Sequence, residues 1–530
     1  MRKTLLSLFT ALALAHPAHA ATPADTLVVA VPLDGIISFD PAESFETVSN
    51  SSLRNIYQTL LEPDHQNPQQ LSPLAVTRWQ AGKTPRSLVF DLNPQARFAS
   101  GNPLTAQDVV FSLSRAVKLN KAPSFILGEF GWTPENIDQQ FTVINDHQLA
   151  LRWPAEIGSD LALRLLTAPV ASIVDSKLAQ QHTSNNDYGN GWLKTHSAGS
   201  AAYAIRQFVP LQALVLEANP YSTQKPHLKR VLLKGVADPG SRRLLLQQGD
   251  VDVAYQLGPD QITALKDVAD VRVDAFPSSL VYYIGFNTQS PQQPALGNPA
   301  LWQAARWLVD YDSLANQLLK GQYRIHQSFL PDGFDGALNT TPFHYDLKKA
   351  QDILQKGGIK PGTHIALTVV NQPPYIDVAQ ALQASFARAD VQLDIQPVAE
   401  SVLWSKMRSR DFQAIFSYWG ADYIDPNTNA STFASNVPGG GKTLAWRVGW
   451  SIPELSAQTR AAAGESDAVK RRNLYTGLQT RVQQDSPFVL LLQGATQVAV
   501  RSNLSHLQQG IGVSLLNFEE VQKSPPAPAG

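Results

Sequence analysis

The polarity pattern along the chain switches repeatedly between a two-residue and a 3.6-residue period. Thr26 to Pro32 is an unbroken apolar run, which predicts a short strand covered on both faces. Leu53, Ile56, Tyr57, Leu60 and Leu61 fall on one stripe and predict a helix over Asn50 to Leu61. Leu88 to Leu92 and Gln148 to Trp153 alternate as strands, and Tyr203 to Glu217 reads as two strands broken at Pro210. Thr105 to Val117 reads as a helix, with Thr105 as N-cap, Asp108 three residues on, and Val109, Leu113 and Ala116 at helical spacing.

The alternation continues through strands at 271–276 and 281–287 and a helix over Leu301 to Leu319. Then come a strand at 365–370, a helix over Ile376 to Ala389, a strand at 391–397 and a helix over Ser401 to Ser409. Strands at 414–419 and 488–493 follow. Strand–helix alternation with some hairpins predicts an α/β fold with mixed sheets.

The 530 residues, 43% hydrophobic and 16% charged, are too many for one ordinary domain and too apolar for a mainly disordered chain. Lys+Arg 43 against Asp+Glu 44 argues against a general nucleic-acid binder, which carries a basic surplus. The absence of cysteine excludes disulfides, Cys-based zinc sites, thiolate catalysis and Cys-linked lipid.

Arg2 and Lys3, the apolar run Leu5 to Leu14, and Ala18-His19-Ala20 form the charged region, hydrophobic region and cleavage site of a signal peptide over 1–20. No later stretch reaches 18 uninterrupted apolar residues, so a soluble mature chain is expected, with a net charge of −3 once Arg2 and Lys3 are removed. An exported chain without a lipidated cysteine fits an enclosed periplasm. Residues 523–530 read as a disordered tail.

Catalytic patterns are missing: there is no HExxH, GxSxG or GxGxxG. Asn436 to Thr443 imitates a phosphate loop, but Asn436 stands where the first glycine belongs, and it reads as a glycine loop. His344 and Asp346 are adjacent enough for a metal site but read as surface residues. No catalytic residue, metal ligand or cofactor is expected.

A series of segments then carries a resemblance. It begins with Phe39-Asp40-Pro41-Ala42, Asn55 to Leu60 and Ser72 to Ala75 with Trp79. The most specific part is Phe90 to Pro94, Arg97-Phe98, and Gly101-Asn102-Pro103-Leu104-Thr105-Ala106-Gln107-Asp108-Val109-Val110-Phe111-Ser112. Gly199 to Tyr203, Leu216 to Tyr221, Leu246 to Asp252, Phe286-Asn287-Thr288 with Arg306 and Asp310, and Trp419-Gly420-Ala421-Asp422-Tyr423 with Asp425-Pro426 complete it. The ordered set resembles the periplasmic solute-binding proteins of peptide/nickel ABC transporters, the dipeptide- and oligopeptide-binding type of family 5.

The resemblance implies a two-lobed periplasmic binding protein fold (type II, cluster C-like), with an extra subdomain in the first lobe and a hinge between lobes. Its expected divisions are 21–63 with 197–285 and 495–522 for the lobe I core, 64–196 for the extra subdomain, and 286–494 for lobe II. Crossings are expected near Phe286 and Gly494. It also implies capture of a peptide-like solute by closure, delivery to membrane permease subunits of an ABC importer, and a monomer.

By the same resemblance Asp422 sits where relatives hold the ligand's α-ammonium. Trp419, Tyr418, Tyr423, Trp404 and Ala421 are the accompanying ligand-binding candidates, because a buried cation needs a desolvated carboxylate and aromatic rings line such sites. Dipeptide binders carry an arginine clamp where this chain has Gln372-Pro373-Pro374-Tyr375, with Pro373 at the arginine position. Longer peptides, an opine, a sugar derivative or a metal chelate therefore stay open as ligands. Other readings are a secreted hydrolase, or an exported receptor that feeds a sensor or chaperones folding.

Overall fold

The computed structural model describes residues 22–64, 67–512 and 516–525. The signal-peptide segment 1–20 and most of the expected tail lie outside these residues.

Three main sheets organise the chain. Thr26–Val31 is a central strand of a seven-stranded sheet, between Arg230–Gly235 and Val253–Ala254, parallel to both. That two-sided cover explains its unbroken apolar sequence, since all six of its residues are buried. Antiparallel strands Ala213–Ala218 and Tyr203–Val209 extend one edge, and Thr496–Arg501 and Val271–Phe276 the other.

The second sheet has six strands in the order Tyr323–Ile325, Phe488–Gly494, Val281–Phe286, Ala414–Trp419, Thr363–Val370, Val391–Val398. The third is antiparallel, in the order Val76–Ala81, Ser87–Leu92, Gln148–Arg152, Phe141–Asn145. In it Leu149 and Leu151 are buried while their neighbours are more open, as one-sided packing requires.

Each sheet carries its own apolar cluster, so the two lobes and the added unit each have a core. The chain passes between the first two sheets twice, at 277–280 and at Ala495. The second crossing directly follows Gly494. Before it, Val281–Phe286 pairs with Ala414–Trp419 on one side and Phe488–Gly494 on the other. Residues 281–285 therefore belong to the second lobe's sheet, not to the first lobe. Both crossings are tied down, with Gly494 donating its N–H to the Leu280 carbonyl at 3.1 Å and Gln493 Nε2 donating to the Ser278 carbonyl at 2.8 Å.

Two expected helices are cut short. The first runs Thr47–Ile56 rather than to Leu61. Past it, the Ile56 and Leu60 carbonyls accept from Ala201 and Leu74, so tertiary partners replace helical ones. The helix expected over 301–319 is Pro299–Leu308, then a wide-turn segment Ser313–Leu318. Asp310 recaps the second piece by accepting from the Ser313 N–H at 3.1 Å.

The Thr105 signature is scaffold. Asp108 Oδ2 accepts from the Thr105 N–H at 2.8 Å, and its Oδ1 accepts from the Ser176 N–H at 3.0 Å. One carboxylate thus starts the helix Ala106–Leu119 and fastens a distant turn to it. Arg306 is also structural: buried, it donates to the carbonyls of Trp302, Gln483, Ser486 and Phe488.

Candidate functional site

The strand Ala414–Trp419 delivers its side chains alternately to two faces. Tyr418 lies on the face of Tyr282, its directly paired neighbour, and its ring is 5.5 Å from that of Trp404 on the helix Glu400–Ser409. Trp419 lies on the opposite face, on the side of Arg447, whose guanidinium is 5.8 Å from the indole. The strand ends at Trp419, and Gly420 to Tyr423 follow it.

The seam between the lobes is closed by specific contacts. The Phe45 ring of lobe I sits 5.5 Å from Trp419 of lobe II. The Arg408 guanidinium reaches Glu46 Oε1 at 2.9 Å, and Thr47 Oγ1 lies 3.4 Å from Tyr418 Oη. Further along, Arg164 donates to the Ile424 carbonyl at 3.0 Å and Asn427 to Glu129 at 3.4 Å.

Between these contacts lie two cavities. One, the smaller, is lined by Phe45, Glu46, Thr47, Trp404, Arg408, Tyr418, Trp419, Gly420 and Asp422. The second, the larger, is lined from lobe II by Asp422, Tyr423 and Ile424, and from lobe I by Pro63, Asp64, Pro68 and residues 508–512.

Asp422 is electrostatically exposed to change. Its N–H donates to Thr428 Oγ1 at 3.1 Å, but its Oδ2 is enclosed and has no hydrogen-bond partner among the described residues. Burial pushes the carboxyl up from 3.8 to about 7, opposed by the positive charge of Arg447. The Trp419 Nε1 donor is likewise enclosed without a partner. A carboxylate and an N–H left unmatched at one cavity are suited to a guest that brings both a cation and an acceptor.

The other candidates divide by role. Tyr418 donates its hydroxyl to buried Glu400, whose carboxyl is raised by burial, and Trp404 Nε1 donates to the same oxygen at 3.3 Å. Both rings are held by Glu400 and line the smaller cavity. Tyr423 lines the larger one, its hydroxyl accepting from Asn427 at 3.2 Å. Ala421 lines neither: it is 0% exposed and its N–H is taken by Ser279 Oγ at 3.0 Å, so its part is to fasten the turn to the crossing segment.

Sequence reasoning missed Phe45, Glu46, Thr47, Glu400, Arg408 and Arg447. None lies in a patterned motif, and Glu46 and Arg408 meet across 362 positions of sequence. Glu400 and Trp404, four apart on one helix, carried the single local signal.

The glycine loop 436–443 holds no phosphate-loop geometry; Thr443 caps the short helix Leu444–Arg447 by accepting from the Trp446 N–H at 3.2 Å. Asp346 caps the helix Leu347–Lys356. Among the described residues no cluster of three or more His, Asp or Glu could hold a metal, and no helix is long and apolar enough to cross a membrane.

Comparison with known proteins places this architecture. The chain is 28% identical over 514 residues, 95% of each chain, to the probable D,D-dipeptide-binding periplasmic protein DdpA of Escherichia coli (strain K12). Its structure superimposes with a TM-score of 0.83, at 21% identity, on the periplasmic binding protein DppA of Helicobacter pylori in complex with the peptide STSA, covering 94% of this chain and 98% of that one. It also superimposes with a TM-score of 0.83, at 18% identity, on MoaA from A. tumefacien R10 in complex with mannopinic acid, covering 95% and 100%. The likeness confirms the two-lobed α/β fold. The family model for the bacterial extracellular solute-binding proteins, family 5 (middle), matches residues 70–441, and the chain belongs to that family.

Proposed function

We propose that this protein captures a peptide-like solute between its lobes in the periplasm and delivers it to the permease subunits of an ABC importer. The observation that carries this is Asp422: an enclosed carboxylate oxygen without a partner, at the wall of a cavity formed by both lobes. Capture and release need no bond chemistry, in keeping with a family of binding proteins. Relatives named for D,D-dipeptide, glutathione and oligopeptide binding support a peptide-like guest.

In this reading Asp422 holds the ligand's ammonium, Trp419 Nε1 donates to a carbonyl or carboxylate, and Tyr418, Trp404 and Tyr423 shape the walls. Ala421 acts through its backbone position. The protein works as a monomer, exported by a cleaved signal peptide over 1–20 and free of lipid because it has no cysteine. Lobe I core, added subdomain and lobe II correspond to the three sheets, with the first lobe boundary moved to 277–280.

A non-peptide solute, such as an opine, is the second reading. It is favoured by Pro373, which sets no cationic clamp at that position and instead stands against Gly258 of lobe I. A thermal-shift screen of peptides, opines and chelates tests both. A true ligand at a hundredfold excess over its Kd adds about 2.7 kcal/mol of stability. A screen in which no peptide or amine-bearing solute shifts the melting temperature overturns the proposal.

A further inference from the structure

We propose that the added subdomain of the first lobe is a latch: it grips lobe II directly and sets how long the cleft stays shut. This rests on the reading of capture by closure between the lobes, and gives the subdomain a part in it.

Two lobe II side chains are built into the subdomain's apolar cluster. Tyr423, 3% exposed, and Ala463, 5% exposed, belong to the same cluster as Phe90, Leu113, Phe130 and Trp153. A core that is continuous across a seam marks a contact that has to be pulled apart, not one that merely touches. The Tyr423 hydroxyl accepts from Asn427 Nδ2 at 3.2 Å, and the same nitrogen reaches Glu129 of the subdomain at 3.4 Å.

Two lobe II glycines face the same unit. A Cβ on Gly441 would stand 2.6 Å from the Phe125 Cβ, and a Cβ on Gly464, the last residue of the helix Pro453–Gly464, would stand 2.5 Å from the Glu156 carbonyl oxygen. Neither glycine has a positive φ, so the backbone conformation does not call for glycine at either place. What calls for it is the approach of the subdomain. At Gly464 the obstacle is backbone, which has no rotamer with which to yield.

The subdomain also supplies the apolar part of the grip. Glu46 with Arg408 and Thr47 with Tyr418 are polar contacts whose partners regain water on opening, so they hold weakly. Withdrawing Tyr423 and Ala463 from their cluster exposes apolar surface with no such compensation. Phe45, the aromatic that the lobe I core sets against Trp419, is itself braced by the subdomain, its ring edge-on to Phe125 at 5.7 Å.

Spin-label distances test this, since the chain has no native cysteine to compete for the label. Gly128→Cys with Gly477→Cys spans the subdomain and lobe II at two sites with open space around them. Ile37→Cys with Val402→Cys, both exposed positions, spans the lobe I core and lobe II. Distances are read without ligand and with a pool of all-L di- to tetrapeptides and D-Ala-D-Ala. The expected result is that the pool shortens both distances in the parent. In Gly441→Ala and in Gly464→Ala the short population of the subdomain pair is lost and that of the other pair shrinks. Phe125→Ala, which trims the contact from the subdomain side without adding an atom, moves both populations in the same direction. Short populations that stay unchanged in all three variants overturn the inference. Shortening at the Ile37 and Val402 pair alone overturns it and leaves capture by closure intact. Shortening at neither pair overturns closure around these peptides, and the inference with it.

Discussion

Glu46 and Arg408 meet across the cleft at 2.9 Å, one from each lobe, with the Glu46 side chain 3% exposed. The pair bridges the two lobes, so opening the cleft would have to break it. Opening returns both groups to water, so the pair adds little on its own, but deleting one partner leaves the other charge sealed in the closed form.

Arg408→Ala therefore disfavours closure. Ligand affinity is expected to fall by about 2–5 kcal/mol, the cost of leaving a buried charge without its partner. Solution scattering of the variant is expected to give a larger radius of gyration than the parent. An unchanged profile and unchanged affinity contradict the role given to this pair.

Asp422→Ala is expected to weaken an amine-bearing ligand by about 2–5 kcal/mol in calorimetry. The ligand-free protein should not lose stability in proportion, because the carboxylate oxygen removed has no hydrogen bond to lose. Equal affinity in the variant removes Asp422 from the site.

The same carboxyl sets a pH dependence. Its value near 7 in the folded protein lies above the ordinary 3.8, so folding favours its protonated form. That contribution to stability is present at low pH and is lost as pH rises through about 7. A cationic ligand needs the ionised form, so binding releases a proton below pH 7. Affinity should fall by up to about tenfold per pH unit below that point. Calorimetry at pH 5.5 and 8 in buffers of different ionisation enthalpy reads both effects, and identical affinities at the two values exclude this account.

Glu129 offers a separate test across the same seam. It packs against Asn427 of the other lobe, and burial raises its carboxyl from 4.5 to about 7. Its protonated form is stabilising below that value and the benefit disappears above it. Glu129→Gln copies the protonated form, so the variant should melt higher than the parent at pH 8, with the difference shrinking as pH falls and vanishing below about pH 4. The opposite pH order refutes the assignment.

Asp40 and Arg115 form a fully buried bidentate pair, both bonds 2.7 Å. Asp40 also accepts from Asn190 at 2.7 Å. Arg115→Met is expected to cost about 3–5 kcal/mol in denaturant unfolding, since it strands a buried carboxylate. This loss should appear without ligand, which separates it from the cleft variants.

Much of the architecture was legible in the sequence because it rests on local periodicity. Val281–Phe286 reads as a strand from its apolar run alone, and the Thr105–Asp108 spacing marks a helix start. What periodicity cannot carry is which sheet a strand joins. Residues 281–285 read as the end of the first lobe, but Val281–Phe286 pairs with remote strands of the second lobe's sheet. Helix ends failed for the same reason, since Ile56 and Leu60 carbonyls found tertiary partners.

The site divides likewise. Asp422 and its aromatic neighbours lie within a contiguous segment and could be named from it. The sequence by itself determined the class of fold and the lack of cysteine chemistry, and its family resemblance pointed to the segment around Asp422 as a candidate. Only the tertiary structure decided that Glu46 meets Arg408, that Glu400 holds Tyr418 and Trp404, and that Asp422 stands alone between two cavities. Those facts depend on distances between residues hundreds of positions apart, and on burial, which changes what a charge costs.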